Sequence, residues 1–304
     1  MADVSVVIGN YEGAALLPDC LESLAAQDRA PAEVLVVDAG SRDDSVAVAE
    51  RLGATVLRAE NRGLGYLYNL GARAARTEYV LVANNDLAFD RRCVGLLADA
   101  LDEDERRFAA DPCQLDWSGE RVIHARTVLS RGPLLRQPLP GLRIDPLVPA
   151  EDTVLTLTAN AGAMLVRREL LLELGGFDET FFIDFEDLDL CWRAWLRGWE
   201  SVYVPAARLR HRVGMSATAT VSPRRLRSSH HNLVRFALKC LPPRQALGVV
   251  AGELLRLAAH PRPVAGALAQ VVRELPGILA ERRRLAPSRP LFDWLAGGQA
   301  GPRA

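Results

Sequence analysis

The chain has a single lysine, Lys239, among 304 residues. A phosphate loop of the Gly-Lys-Ser/Thr type is therefore excluded, since nothing can supply its lysine near the first strand. The dinucleotide fingerprint G-x-G-x-x-G is also missing. After the first apolar run only Gly9 and Gly13 occur, with Tyr11 and Glu12 between them, which argues against a Rossmann cofactor site. The five cysteines, Cys20, Cys93, Cys113, Cys191 and Cys240, are scattered and show no metal-ligand or redox spacing. A reduced, cytoplasmic setting suits such a set. Long hydrophobic runs are lacking too. The longest candidate, 246–259, is interrupted by Glu253 and Arg256, and a membrane span needs about 20 apolar residues. Met1-Ala2-Asp3 offers no basic leader and the apolar run behind it ends at Ile8, so no secretory signal is expected.

What is present suits a globular chain with a full core: 49% hydrophobic and 25% charged residues. The length allows two domains, or one with an extension. A net charge of −1 conceals a strong asymmetry. From residue 206 onward 17 basic residues face four acidic ones, against 20 basic and 34 acidic before it. The basic end suggests an anionic partner surface.

Short apolar runs alternate with helical periodicity. Strands are predicted at 4–8, 34–37, 54–57 and 79–83, with helices at 14–26, 41–52 and 64–75 between them. That alternation predicts βαβ units and a doubly wound, mainly parallel sheet flanked by helices. Residues 107–152, rich in Pro and Gly, read as an insertion of loops with short strands near 122–128. Further strands are expected at 153–158, 163–166 and 201–204, the last ending before Pro205, with helices at 167–174 and 186–196. From 222 the pattern turns helical (223–241, 243–259 and 263–284), each helix opening near a proline. The last twenty residues read as frayed. The resulting division is 1–215 for the α/β part and 216–304 for a basic helical extension.

The stretch 79–90, YVLVANNDLAFD, organises the rest. A buried-type strand passes directly into Asn84, Asn85 and Asp86, at the sheet edge where open α/β folds bind ligands. Asp86 is either a ligand for a hard divalent cation or part of an Asx-turn. Asn10, Glu12, Asp38 and Asn61 fall at the other strand ends. Asp38 suits a nucleobase or ribose contact equally with a helix cap. A second site is Phe181-Phe182-Ile183-Asp184-Phe185-Glu186-Asp187-Leu188-Asp189, four acids in six residues wrapped in apolar side chains. It reads as an acidic helix start or as a pocket holding a general base. His211, among arginines, is a structural histidine or a metal ligand.

Read in order, V-S-V-V-I-x-N-Y-E-G, V-V-D-A-G-S-R-D-D-S, N-R-G-L-G-Y-L-Y-N-L-G and Y-V-L-V-A-N-N-D resemble family 2 glycosyltransferases of the GT-A fold. G-A-M-L-V-R-R-E, G-G-F-D-E-x-F-F-I-D-F-E-D-L-D-L-C-W-R-A and H-R-V-G-M-S are similar to the branch containing rhamnosyltransferases and galactofuranosyltransferases. The resemblance covers about residues 3–215. It implies an inverting transfer from a nucleotide-sugar donor, with dTDP-rhamnose foremost and UDP-galactofuranose, UDP-GlcNAc or GDP-mannose as alternatives. It implies Asp38 at the base of the nucleotide, with Asn10, Glu12, Asn61, Gly63 and Asn85 nearby. It also implies Mg²⁺ or Mn²⁺ at Asp86 and His211, Asp187 as catalytic base, Glu186 at the acceptor, and Gly162 and Ala163 as the acceptor floor. The sequence departs from the family pattern at Gly9, where a bulkier residue is usual, at Ala39, where Asn is usual, and in the single carboxylate of Asn84-Asn85-Asp86.

Three further expectations concern partners. The acceptor is a glycan, a small molecule or a lipid-linked sugar. Leu247, Val250, Leu254, Leu255 and Ala258 recur on one side of a basic helix, which suits an anionic membrane on the inner face of the cell, packing on the catalytic part, or a homodimer contact. Nucleic acid is not expected, because the basic end lacks interleaved aromatics. The non-enzymatic alternative is a protein that binds nucleotide-sugars without turning them over.

Overall fold

The computed structural model describes residues 3–129, 142–145, 152–213 and 223–285. The expectation for the last twenty residues, and the Gly-Met-Ser that ends the last motif, lie outside them. Four parallel strands form one side of the sheet: β1 (Val4–Asn10), β2 (Glu33–Asp38), β3 (Thr55–Arg58) and β4 (Tyr79–Asn84), ordered β3-β2-β1-β4. Helices α1 (Leu17–Ala25), α2 (Ser45–Arg51) and α3 (Leu64–Ala74) connect them. The central strands are apolar because both faces are covered: Val4, Val6 and Ile8 pack toward α1, Val7 toward Leu67 and Tyr68 of α3. Gly71 permits that second packing, since a Cβ there would lie 2.1 Å from Val7 Cγ1.

The sheet then continues as a mixed one. After β4 come β5 (Leu87–Phe89), α4 (Cys93–Asp102), β6 (Arg107–Asp116), β7 (Val122–His124), β8 (Arg126–Leu129), β9 (Leu142–Asp145), β10 (Val154–Thr156) and β11 (Ala163–Arg167). Helices α5 (Arg168–Glu173) and α6 (Glu186–Trp195) precede β12 (Glu200–His211). The strand order runs on from β4 through β11, β6 and β12 to β10. β11 is antiparallel to both β4 and β6, while β12 runs parallel to β6.

Two expectations need correction here. The region 107–152 does not begin as loops: β6 is a ten-residue strand, buried from Phe108 to Gln114, in the middle of the sheet. Its Asp111-Pro112 step disguises it. The ladder with β11 ends at Ala109 and Ala110, so Pro112 lies beyond it and its missing N–H costs nothing on that side. Nor does the last strand stop before Pro205. A register shift between Val204 and Arg208 absorbs the proline, and β12 continues to His211.

The carboxyl-terminal helices α7 (Pro223–Cys240), α8 (Pro243–Arg256) and α9 (Pro261–Arg284) form a bundle on α6. Leu233, Phe236, Ala237 and Cys240 of α7 share an apolar cluster with Phe181, Leu188, Trp192 and Trp195, so α7 packs on the α/β part. Beside that cluster Lys239 and Arg235 are buried against Asp178, with Lys239 Nζ also 2.8 Å from Asp189. Asp189 further accepts from Arg193 at 2.8 Å. This acid of the 184–189 cluster is therefore a structural partner.

Candidate active site

Parallel register brings the first polar residues together. Asn10 pairs with Asp38 across β1 and β2, and Gly9 with Asn84 across β1 and β4, so three strand ends share one edge. Asn85 Nδ2 donates to Asn10 Oδ1 at 2.6 Å, and Asn10 Nδ2 donates to Asp38 Oδ2 at 2.8 Å. Gly13 allows this convergence, because a Cβ there would fall 2.1 Å from Asn10 Oδ1 and 2.2 Å from Asn85 Nδ2. Asp38 also accepts from the amides of Gly40 and Ser41 and from the Ser41 hydroxyl, tying down the loop before α2. It does not cap α2, which starts only at Ser45. Glu12 lies on the same loop pair, accepting from Arg42 N at 2.9 Å. Asn61 is exposed after β3. Gly63, with φ of 102°, touches the backbone of Phe182, where a Cβ would lie 2.4 Å from the carbonyl oxygen. The loop after β3 and the acidic loop are thus in direct contact.

The bulky residue expected at position 9 has a replacement from elsewhere. A Cβ at Gly9 would come within 3.2 Å of Leu64 and 3.4 Å of Tyr68, and the Tyr68 hydroxyl donates to Asn84 Oδ1 at 2.9 Å. Tyr68 fills the space that Gly9 leaves. Its hydroxyl pKa is raised by burial and then by the charges of Glu186, Asp86 and Asp187.

Asp86 and His211 meet through the β5–β12 pairing. Asp86 is buried, its Oδ1 has no hydrogen bond, and His211 Nε2 stands 3.2 Å from that oxygen. His211 Nδ1 lies 3.0 Å from Gln114 Oε1, while Gln114 Nε2 donates to Asn160 Oδ1 at 3.2 Å. The amide orientation of Gln114 is thereby set. It leaves Oε1 to accept from Nδ1–H and leaves the Nε2 lone pair facing Asp86, the tautomer of a metal-ligating histidine. An orphaned carboxylate oxygen beside an imidazole lone pair fits a divalent cation. Among the described residues no group of three such side chains gathers, so further ligands would come from a bound molecule.

The second acid site opens α6. Asp184 and Phe185 both hold positive φ, 66° and 78°. This strained turn aims Glu186 and Asp187 back toward the sheet edge. Glu186 is buried with Oε2 unpartnered. Burial, followed by the Asp187 charge, pushes its pKa up to about 8, so it carries a proton at neutral pH. Asp187 is half-buried. Its Oδ1 accepts from Leu188 N at 2.7 Å, and its Oδ2 from Ala161 N at 3.3 Å and Asn160 Nδ2 at 3.5 Å. Its pKa is also raised by burial, but the two amides pull it back. The Asp187 carboxylate has amide donors and Glu186 Oε2 has none, the kind of unequal pair that acid–base chemistry uses. Gly162 N donates to Asn160 Oδ1 at 2.9 Å on the floor between the two sites, whereas Ala163 is fully buried in the core beneath it.

The sequence reading missed Tyr68, Gln114 and Asn160. Gln114 was hidden in a stretch read as loops, and Asn160 stands two residues before the G-A-M-L-V motif. Only Tyr68 carried a signal, standing in the third quoted motif.

A model of glycosyl transferase family 2 matches residues 5–148. The N-acetylglucosaminyl-diphospho-decaprenol L-rhamnosyltransferase of Mycobacterium tuberculosis is 32% identical over 237 residues, covering 69% of this chain and 76% of its own. Among solved structures, the mannosyltransferase PcManGT from Pyrobaculum calidifontis, in complex with GDP-Man and Mn2+, has a TM-score of 0.57 at 19% identity, covering 98% of this chain and 79% of that one. GalNAc-T7 with UDP, GalNAc and Mn2+ has a TM-score of 0.62 at 18% identity over 79% of this chain, which spans 48% of that protein's length. The fold is that of a GT-A glycosyltransferase. Within that class, the chain belongs to glycosyl transferase family 2.

Proposed function

We propose that the enzyme transfers rhamnose from dTDP-rhamnose to an acceptor hydroxyl with inversion. The observation that carries this reading is the convergence of Asp86, His211, Glu186 and Asp187 on one cleft, joined through Gln114 and Asn160. The rhamnosyl part rests on the Mycobacterium tuberculosis relative. Asn10, Glu12, Asp38, Asn61, Gly63 and Asn85 surround the nucleotide, and Asp86 with His211 holds Mg²⁺ or Mn²⁺. When bound, that cation supplies positive charge beside the diphosphate.

Asp187 takes the acceptor hydroxyl proton as the oxygen bonds to the anomeric carbon and the bond to the nucleoside diphosphate breaks. Protonated Glu186 holds the acceptor by donating a hydrogen bond. Gly162, packed against Asn160, forms the floor beneath it, backed by Ala163. A panel of dTDP-rhamnose, UDP-galactofuranose, UDP-GlcNAc and GDP-mannose, read as nucleotide release with N-acetylglucosaminyl-diphospho-lipid as acceptor, tests the donor. Release from another member of the panel overturns the rhamnosyl assignment, and no release from any supports the nucleotide-sugar-binding alternative.

A lipid-linked acceptor brings the enzyme to a membrane, on its inner face in this reading. Leu247, Leu254 and Leu255 of α8 are 67%, 53% and 69% exposed, and Val272 of α9 is 68% exposed. Val250, expected on the same stripe, turns inward toward Val234 and Ile278. Arg244, Arg262, Arg273, Arg283 and Arg284 are exposed on α8 and α9, whereas no acid is exposed on either helix among the described residues. Apolar side chains ringed by arginine suit an anionic bilayer surface. No helix among the described residues is long and apolar enough to cross one. Flotation with phosphatidylglycerol vesicles, abolished by Leu254→Glu with Leu255→Glu, is the expected result. A concentration-dependent dimer that loses its contact in the same variant would favour the homodimer instead.

A further inference from the structure

Behind Asp187 lies a second ionisable pair for which the transfer step above has no use. Asp111 of β6 is fully buried, and His124 Nε2 of β7 stands 2.9 Å from its Oδ2. The other oxygen, Oδ1, accepts from Asn160 N at 3.1 Å. Asn160 in turn gives its side-chain amide, and its neighbour Ala161 its backbone N–H, to Asp187 Oδ2. The chain His124–Asp111–Asn160–Asp187 therefore runs from the core to the cleft without a break. Ionising a carboxylate as buried as Asp111 is costly without a charged partner, so the pair has an electrostatic reason to exist.

We propose that His124, paired with Asp111 and acting through Asn160, is a positioning residue that fixes the Asp187 carboxylate and keeps it ionised for proton abstraction. The inference rests on Asp187 being the base. Burial works against a charged imidazole at 124, but the Asp111 carboxylate outweighs it and Asp187 adds in the same direction, so the histidine pKa is raised. Reciprocally, the His124 charge is among the influences that hold the Asp187 pKa down against burial, whereas Asp111 pushes it up. The other titratable groups facing Asp187 are Glu186 beside it, Cys191 one turn on and Tyr68 of α3. Arg225 of α7 faces Glu186 and Asp184. His124 thus lowers the proton affinity of Asp187, and Asp111, which raises it, limits that gain.

The test uses the full chain. Imidazole nitrogen NMR follows the five histidines through pH, with the His124 signal assigned through its ring-to-backbone correlations. The His124 midpoint is expected above the ordinary histidine value and lower in Asp187→Asn than in the wild type. An unchanged midpoint in Asp187→Asn overturns the coupling, and this arm keeps the native histidine, so it survives any folding defect of His124→Asn. In the kinetic arm, His124→Asn is expected to move the acid limb of kcat/KM for dTDP-rhamnose to higher pH. A shift of about one pH unit lowers the rate by roughly tenfold at pH values below the acid limb and leaves the rate at pH 9 almost unaltered. An equal loss at every pH would mean that His124 is structural only. A wild type that turns over no donor sinks the transferase mechanism, while the titration still decides whether the two groups sense each other.

Discussion

Asn232 of α7 donates to the carbonyl oxygens of Ile183 and Asp184, at 2.8 and 2.9 Å. One side chain from the carboxyl-terminal bundle therefore holds both peptide groups of the strained turn that leads into Glu186. Ser229 and Arg225 of the same helix reach the Asp184 carboxylate, at 3.1 and 3.4 Å. The bundle thus supports the turn that presents Glu186 and Asp187. Asn232→Ala is expected to cost about 1–3 kcal/mol, because two buried carbonyl acceptors lose their donor. Urea unfolding reads the cost, and a rise in acceptor KM beyond any fall in kcat distinguishes a disordered turn from general loosening.

Asp187→Asn removes the proton acceptor with almost no change in shape. Transfer is expected to fall by about 10²–10⁴-fold, while calorimetric affinity for dTDP stays within about twofold. Ordinary turnover by the variant would remove Asp187 as base.

The imidazole of His211 depends on Gln114 for its tautomer. Gln114→Leu is expected to weaken Mn²⁺-dependent dTDP binding by about 10–100-fold, with metal-free binding little altered. Chelation of the metal should erase the difference between wild type and variant. A variant that binds as tightly as the wild type in Mn²⁺ would show that Gln114 has no influence on the ligand.

Glu186 gives a pH signature of stability. Its pKa is near 8 in the fold against 4.5 for the free side chain, so between those values the unfolded chain gives up a proton that the folded one keeps. Stability should fall from about pH 4.5 to about pH 8 and level off above, by an amount on the order of a few kcal/mol. Glu186→Gln should flatten that slope in chemical denaturation measured across the range.

Gly63→Ala combines a φ of 102° with a Cβ placed 2.4 Å from the Phe182 carbonyl oxygen, so the two loops must part. A loss of at least about 2 kcal/mol is expected. Gly53→Ala shares the left-handed backbone, at 85°, but meets nothing within 4 Å, so its loss in the same unfolding assay should be smaller.

Much of the cleft was legible because strand ends advertise themselves. An apolar run that stops at Asn10, Asp38 or Asn84 must put that residue at the sheet edge once the strands are parallel and in register. Local periodicity likewise settled α3 and α6. Pro112, beyond the end of the β11 ladder, and Pro205, inside a register shift of β12, sit within strands all the same, and only the neighbouring strands reveal that.

The sequence by itself determined the alternation of strand and helix, the charge imbalance toward the carboxyl end, and the acids that reach the cleft, because each follows from near-neighbour chemistry along the chain. Tertiary structure alone decided which groups serve those acids. Gln114 finds His211 97 residues away, Asn160 finds Asp187 27 residues away, and Asn232 finds Ile183 49 residues away. A single hydrogen bond between distant residues leaves no periodic trace. Its partners are chosen by the packing of whole elements, which the order of residues along the chain does not display.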